Sequence, residues 1–83
     1  MMKQVTVLFF ATLRDHMGMR QLNVTLNSNA GLNDLVAHLV TNKPEAASAL
    51  EIALVAINRE YAFEGAEIPD GAEVAFFPHV SGG

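Results

Sequence analysis

The chain has 83 residues, long enough for one domain that buries a little over ~60% of its unfolded surface. It is 51% hydrophobic and only 17% charged, below the ~25% of an average domain, so some apolar surface is expected to lie outside the core and to meet a protein partner. A net charge of −4 with five dispersed basic residues excludes nucleic acid as a partner, and the lack of any cysteine excludes disulfides, thiolate metal sites and thiol nucleophiles.

Val5 to Phe10 (VTVLFF) is rich in β-branched and aromatic residues and predicts a first strand. Val5, Val7 and Phe9 share one face, and Thr6, Leu8 and Phe10 share the other. Ala11 to Met17 predicts a short helix of good helix formers, closed by Gly18 as a left-handed cap. Gln21 to Leu26 alternates, with Leu22, Val24 and Leu26 set against Gln21, Asn23 and Thr25, which predicts a second strand antiparallel to the first and wet on one face. Beyond a polar loop over Asn27 to Gly31, the residues Leu32, Leu35, Val36 and Leu39 form the apolar stripe of the main helix.

Pro44 suits the first turn of a second short helix reaching Leu50, since its missing N–H has no intrahelical partner there. Ile52 to Asn58 (IALVAIN) is apolar on both faces and predicts a strand inside the sheet. Tyr61 to Phe63 predicts a short edge strand, and Pro69-Asp70-Gly71 a turn. The last strand runs from Glu73 to Phe77 and stops at Pro78, which cannot donate to a ladder. This element order predicts an α+β fold, a mixed sheet with one main helix packed on one face, as in a β-grasp or ubiquitin-like roll. In such a roll the first and last strands pair in parallel at the sheet centre. Residues 1–78 are then the β-grasp domain, and 79–83 a functional tail.

No run reaches the ~20 apolar residues of a helical membrane span, no amino-terminal leader pattern stands out, and a cytoplasmic location is expected. Pairing of the end strands brings Phe10 and Phe77 together, with Leu8 and Ala75 extending an apolar outer stripe that reads as a docking surface. His16, His38 and His79 have no metal-motif spacing and read as surface residues, with His38 on the solvent side of the main helix at the border of the core, and His79 either shielding or polarising the terminal carboxylate or, the preferred reading, meeting the groove of a partner. Ser81 lacks a histidine-and-acid arrangement, and the acids Glu45, Glu51, Glu60, Glu64, Glu67, Asp70 and Glu73 read as a solvated surface. The isolated glycines 18, 31, 65 and 71 have no phosphate-cradling spacing. No self-sufficient active site emerges. The closing Gly82-Gly83 admits two readings: a frayed end, or a terminal carboxylate carried on a backbone slim enough for a narrow slot.

Val7-Leu8-Phe9-Phe10-Ala11 at one end, and Val74-Ala75-Phe76-Phe77-Pro78-His79-Val80-Ser81-Gly82-Gly83 at the other, closely resemble the small-subunit family of molybdopterin synthase. Ala56-Ile57-Asn58 also looks like the third strand of that family. The match in length and element order covers the whole chain. One departure is His79, where the family often has a second proline, which leaves this tail less stiff.

The resemblance implies a sulfur carrier that is not catalytic alone. An activating enzyme adenylates the terminal carboxylate with ATP, a sulfur donor converts it to a thiocarboxylate, and the large synthase subunit uses the sulfur to build the dithiolene of molybdopterin from a cyclic pyranopterin. The same resemblance implies a two-plus-two assembly and no cofactor bound by the carrier itself. On this reading Gly83 carries the sulfur and Gly82 gives slim passage. Leu8, Phe10, Ala75, Phe77, Pro78, His79, Val80 and Ser81 meet the partner. The alternatives are a carrier feeding thiamine or another thiolation pathway, a ubiquitin-like modifier joined to lysines, and a plain β-grasp binding module.

Overall fold

The computed structural model describes residues 1–63 and 65–79. In chain order the elements are β1 (Met2–Phe9), α1 (Thr12–Met17), β2 (Gln21–Asn27), α2 (Leu32–Asn42), a 3-10 turn (Pro44–Ala46), α3 (Ala47–Glu51), β3 (Leu54–Ile57), β4 (Glu60–Ala62) and β5 (Glu73–Phe77). The five strands form one sheet in the order β2-β1-β5-β3-β4. β1 and β5 are parallel neighbours at its centre, in the register Thr6 to Glu73 through Phe9 to Phe76, and the remaining pairings are antiparallel. This is the β-grasp that the element order predicts, including the parallel pairing of the first and last strands. Among the described residues no helix is long and apolar enough to cross a membrane.

Strand alternation decides which side chains make the core. Val5, Val7 and Phe9 of β1 and Val74 and Phe76 of β5 point to the helical face and are almost fully buried. There they meet Leu32, Leu35 and Leu39 of α2, Leu13 and Met17 of α1, and Leu50 of α3. The Phe9 and Phe76 rings pack tilted across the parallel pair, with centroids 5.8 Å apart, a favourable geometry for aromatic quadrupoles. Gly18 closes α1 at φ 72, its N–H donating to the Arg14 carbonyl at 2.9 Å. A left-handed residue is needed at that cap, and glycine takes the conformation without a Cβ clash.

Several boundaries differ from the sequence reading. β1 begins at Met2, because Lys3 is a core-side residue whose ammonium donates to the Ala30 carbonyl at 2.7 Å and to the Ile68 carbonyl. The first helix begins at Thr12, since Ala11 adopts φ 53 and ψ −128 to swing the chain off the end of β1. The helix expected over Pro44 to Leu50 is a 3-10 turn followed by a short α-helix that runs to Glu51. Consequently Ile52 is a helix-terminal residue, 64% exposed, and the third strand starts only at Leu54. That strand stops at Ile57 because Asn58 and Arg59 both turn at positive φ, and β4 then begins at Glu60 and ends before Phe63.

Candidate functional site

The outer face of the sheet, opposite the helices, divides into two halves. Cross-strand register puts Gln4 and Thr6 of β1 beside Thr25 and Asn23 of β2, a polar half. On the other half, Leu8 of β1 lies beside Ala75 of β5, Ala75 beside Ala56 of β3, and Ala56 beside Tyr61 of β4. Phe77 of β5 pairs with Leu54 on this same face. An open sheet face of this kind is normally solvated and polar, so its apolar half is the expected apolar outer stripe, with Ala56 and Ala75 buried among half-buried Leu8 and Phe77 and exposed Leu54 and Tyr61.

Phe10 lies one residue past the end of β1, but its N–H still donates to the Phe76 carbonyl at 3.1 Å. The ladder therefore holds it beside Phe77. The two rings stack with centroids 4.8 Å apart and planes 6° from parallel, and Phe10 is 41% exposed. Because β1 and β5 are parallel, this stack stands at the end of β5 from which the chain leaves through half-buried Pro78 and exposed His79. Val80, Ser81, Gly82 and Gly83 lie outside the described residues.

Beside the stack the surface dips into a shallow groove of roughly 320 Å³. Its floor is the cross-strand pair Ala56 and Ala75, both largely buried. Leu8, Phe10 and Phe77 line it, as do Tyr61, Arg59 and Glu73. Leu8, Phe10, Ala75 and Phe77, singled out from sequence, thus fall into one patch. The sequence pattern does not place Ala56, Arg59 and Tyr61 there, because their position beside β5 depends on strand order, which periodicity does not encode.

The histidines do not converge. His16, His38 and His79 are all exposed, and His38 sits against Asn42 one turn along α2, Nε2 to Nδ2 3.3 Å, on the solvent side of the helix. No cluster of three or more His, Cys, Asp or Glu side chains able to hold a metal ion occurs among the described residues.

The model of the ThiS family matches residues 7–83. The chain belongs to the ThiS family. This ThiS-family chain is 33% identical to the molybdopterin synthase sulfur carrier subunit of Chlamydomonas reinhardtii, over 96% of its own length and 99% of the relative. Its fold superposes on the crystal structure of SAMP1 from Haloferax volcanii with a TM-score of 0.84 and 30% identity, over 96% of this chain and 99% of that one. At 20% identity it shares its fold with a chain of the complex of subunits 1 and 2 of the molybdopterin-converting factor of Helicobacter pylori, with a TM-score of 0.67 and coverage of 96% and 99%. The resemblance carried by the two ends of the sequence and the ubiquitin-like β-grasp architecture therefore both stand.

Proposed function

We propose that this chain is the sulfur carrier subunit of a molybdopterin synthase, with the carboxylate of Gly83 as the group that carries the sulfur. The observation that carries this reading is the likeness to the Chlamydomonas sulfur carrier subunit along nearly the whole of both chains. A partly exposed aromatic stack where the chain leaves β5 adds support. Attack of the Gly83 carboxylate on ATP releases pyrophosphate and leaves an acyl-adenylate, which turns a poor leaving group into a good one. Sulfur from a donor then displaces AMP and leaves a thiocarboxylate. The large synthase subunit takes up this tail and passes the sulfur to a cyclic pyranopterin precursor.

The body of the protein contributes docking and aim. Leu8, Phe10, Ala75 and Phe77 supply apolar contact area, Pro78 ends the ladder, His79, Val80 and Ser81 meet the partner, and Gly82 gives the terminus slim passage. No cofactor is bound by the carrier; ATP belongs to the activating enzyme. The Helicobacter complex of subunits 1 and 2 supports a large subunit as partner.

The deciding measurement is the intact mass of the chain after co-expression with an adenylating activating enzyme and a sulfur donor. Replacement of one carboxylate oxygen by sulfur is the expected outcome, and Gly83→Val is expected to fold normally and gain no sulfur. Sulfur located anywhere but on the terminal carboxylate would rule out the tail as the carrier, and normal loading of Gly83→Val would show that a slim terminus is not required. The likeness to SAMP1 of Haloferax, a relative named as a small archaeal modifier protein, favours a second reading in which the same terminus joins lysines of other proteins. Isopeptide-linked conjugates in cell extract, without thiocarboxylate, are the outcome that selects it.

A further inference from the structure

The turn between β3 and β4 has only two residues, Asn58 at φ 51 and Arg59 at φ 71, joining the Ile57 and Glu60 cross-strand pair. Two positive φ angles are the requirement of a type I′ hairpin, for which Asn-Gly is the preferred pair. Asn58 fits this role and adds to it: its N–H donates to the Glu73 carbonyl at 2.8 Å, and its Oδ1 accepts from the Glu73 N–H at 2.9 Å, which ties the turn to β5. Arg59 does not fit. It holds a left-handed backbone that glycine would adopt with less strain, and strain of this kind concentrates at functional positions.

Neither the turn nor the core uses the arginine side chain. Arg59 is exposed, and among the described residues its guanidinium makes no side-chain hydrogen bond or ion pair; Lys43 and Glu45 are the pair that reaches bridging distance there. The side chain instead lines the groove floored by Ala56 and Ala75, and it is the one cation to do so. Glu73 lines the same groove without bridging to it, so the rim presents two separated opposite charges.

We propose that Arg59 and this groove form a two-part recognition element for the enzyme that loads the tail. The groove accepts one apolar side chain of that enzyme, and the guanidinium pairs with a neighbouring carboxylate of the same segment. Five donors in a planar fork suit bidentate pairing with a carboxylate, and the surrounding Leu8, Phe10, Tyr61 and Phe77 keep water from the pair once docked. The occupant is thus a segment combining an acidic residue with an apolar one, and binding is set by register as much as by buried area.

This inference rests on the sulfur-carrier reading, and its test separates the two. Adenylation by the activating enzyme is followed through pyrophosphate release for the wild type, Arg59→Gly and Arg59→Lys. Arg59→Gly is expected to raise the thermal midpoint by a few degrees, because the strain is released. It should also raise the KM for the carrier about tenfold with little change in kcat, the effect of one lost charge pair at a docking face. Arg59→Lys keeps the charge without the fork and falls between. Wild-type KM in Arg59→Gly overturns the proposal while leaving the carrier reading intact; a wild-type chain that is never adenylated overturns both.

Discussion

Ala11 occupies φ 53 and ψ −128 at the first central position of the turn that the Leu13 N–H closes onto the Phe10 carbonyl at 3.1 Å. That is the conformation a type II′ turn gives to glycine, and it costs an L-residue about 1–3 kcal/mol. The turn is needed because Phe10 remains on the ladder through Phe76 while Leu13 must reach the core two residues after Ala11. Ala11→Gly is therefore expected to stabilise the fold by about 1 kcal/mol after the extra unfolded-state freedom of glycine is counted. A gain of that size raises the thermal midpoint of a domain of this length by ~4–8 °C, as calorimetry measures. A fall in the midpoint would show that the turn gains nothing from losing its Cβ. Read from sequence, Ala11 is simply a good helix former, because strain at one residue is created by the ladder on one side and the core on the other.

Lys3 shows the same limit at the level of elements. In sequence it is a charged residue ahead of the VTVLFF run, with nothing to mark it as buried. In the fold β1 starts earlier, its inward parity includes position 3, and the lysine stem crosses the core edge so that Nζ reaches the Ala30 and Ile68 carbonyls. These carbonyls belong to the two segments that approach the start of α2, where the Leu32 N–H donates to the Ala66 carbonyl and Gly31 bridges Glu67. Lys3→Met keeps the stem and removes the donors, leaving carbonyls unpaired at a cost of about 1–3 kcal/mol. Urea denaturation should register that loss, and hydrogen exchange should locate it at the Leu32 amide, with the β1–β5 ladder still protected. Where an element's face is decided by its own period, as in the Leu32, Leu35 and Leu39 stripe of α2, sequence and structure agree. Disagreement falls at Ile52, Asn58 and Lys3, whose environments are set by other segments: the end of α3 for Ile52, Glu73 of β5 for Asn58, and the Ala30 and Ile68 carbonyls for Lys3.

At the level of the molecule, the shortage of charge reads correctly as apolar surface outside the core, and the parallel pairing of β1 with β5 is what gathers part of it beside the tail. Leu8 and Ala75, then Phe10 and Phe77, become neighbours only once that pairing exists. The groove residues Ala56, Arg59 and Tyr61 join them only once β3 and β4 are placed outside β5. The core does not need this patch, since Val74 and Phe76 fill the other face of β5. Phe77→Ser thus separates docking from folding. Loss of the ring stack and of the half-buried apolar area of Phe77 is expected to cost about 2–3 kcal/mol, too little to unfold a domain of ordinary stability, whereas loading by the activating enzyme should show a KM raised tenfold or more. Thr25→Ala, on the polar half of the same face beside Gln4, controls for any change to the outer sheet and should load as the wild type does. If Phe77→Ser loads normally while its thermal midpoint falls, the stack serves the fold alone, and docking resides elsewhere.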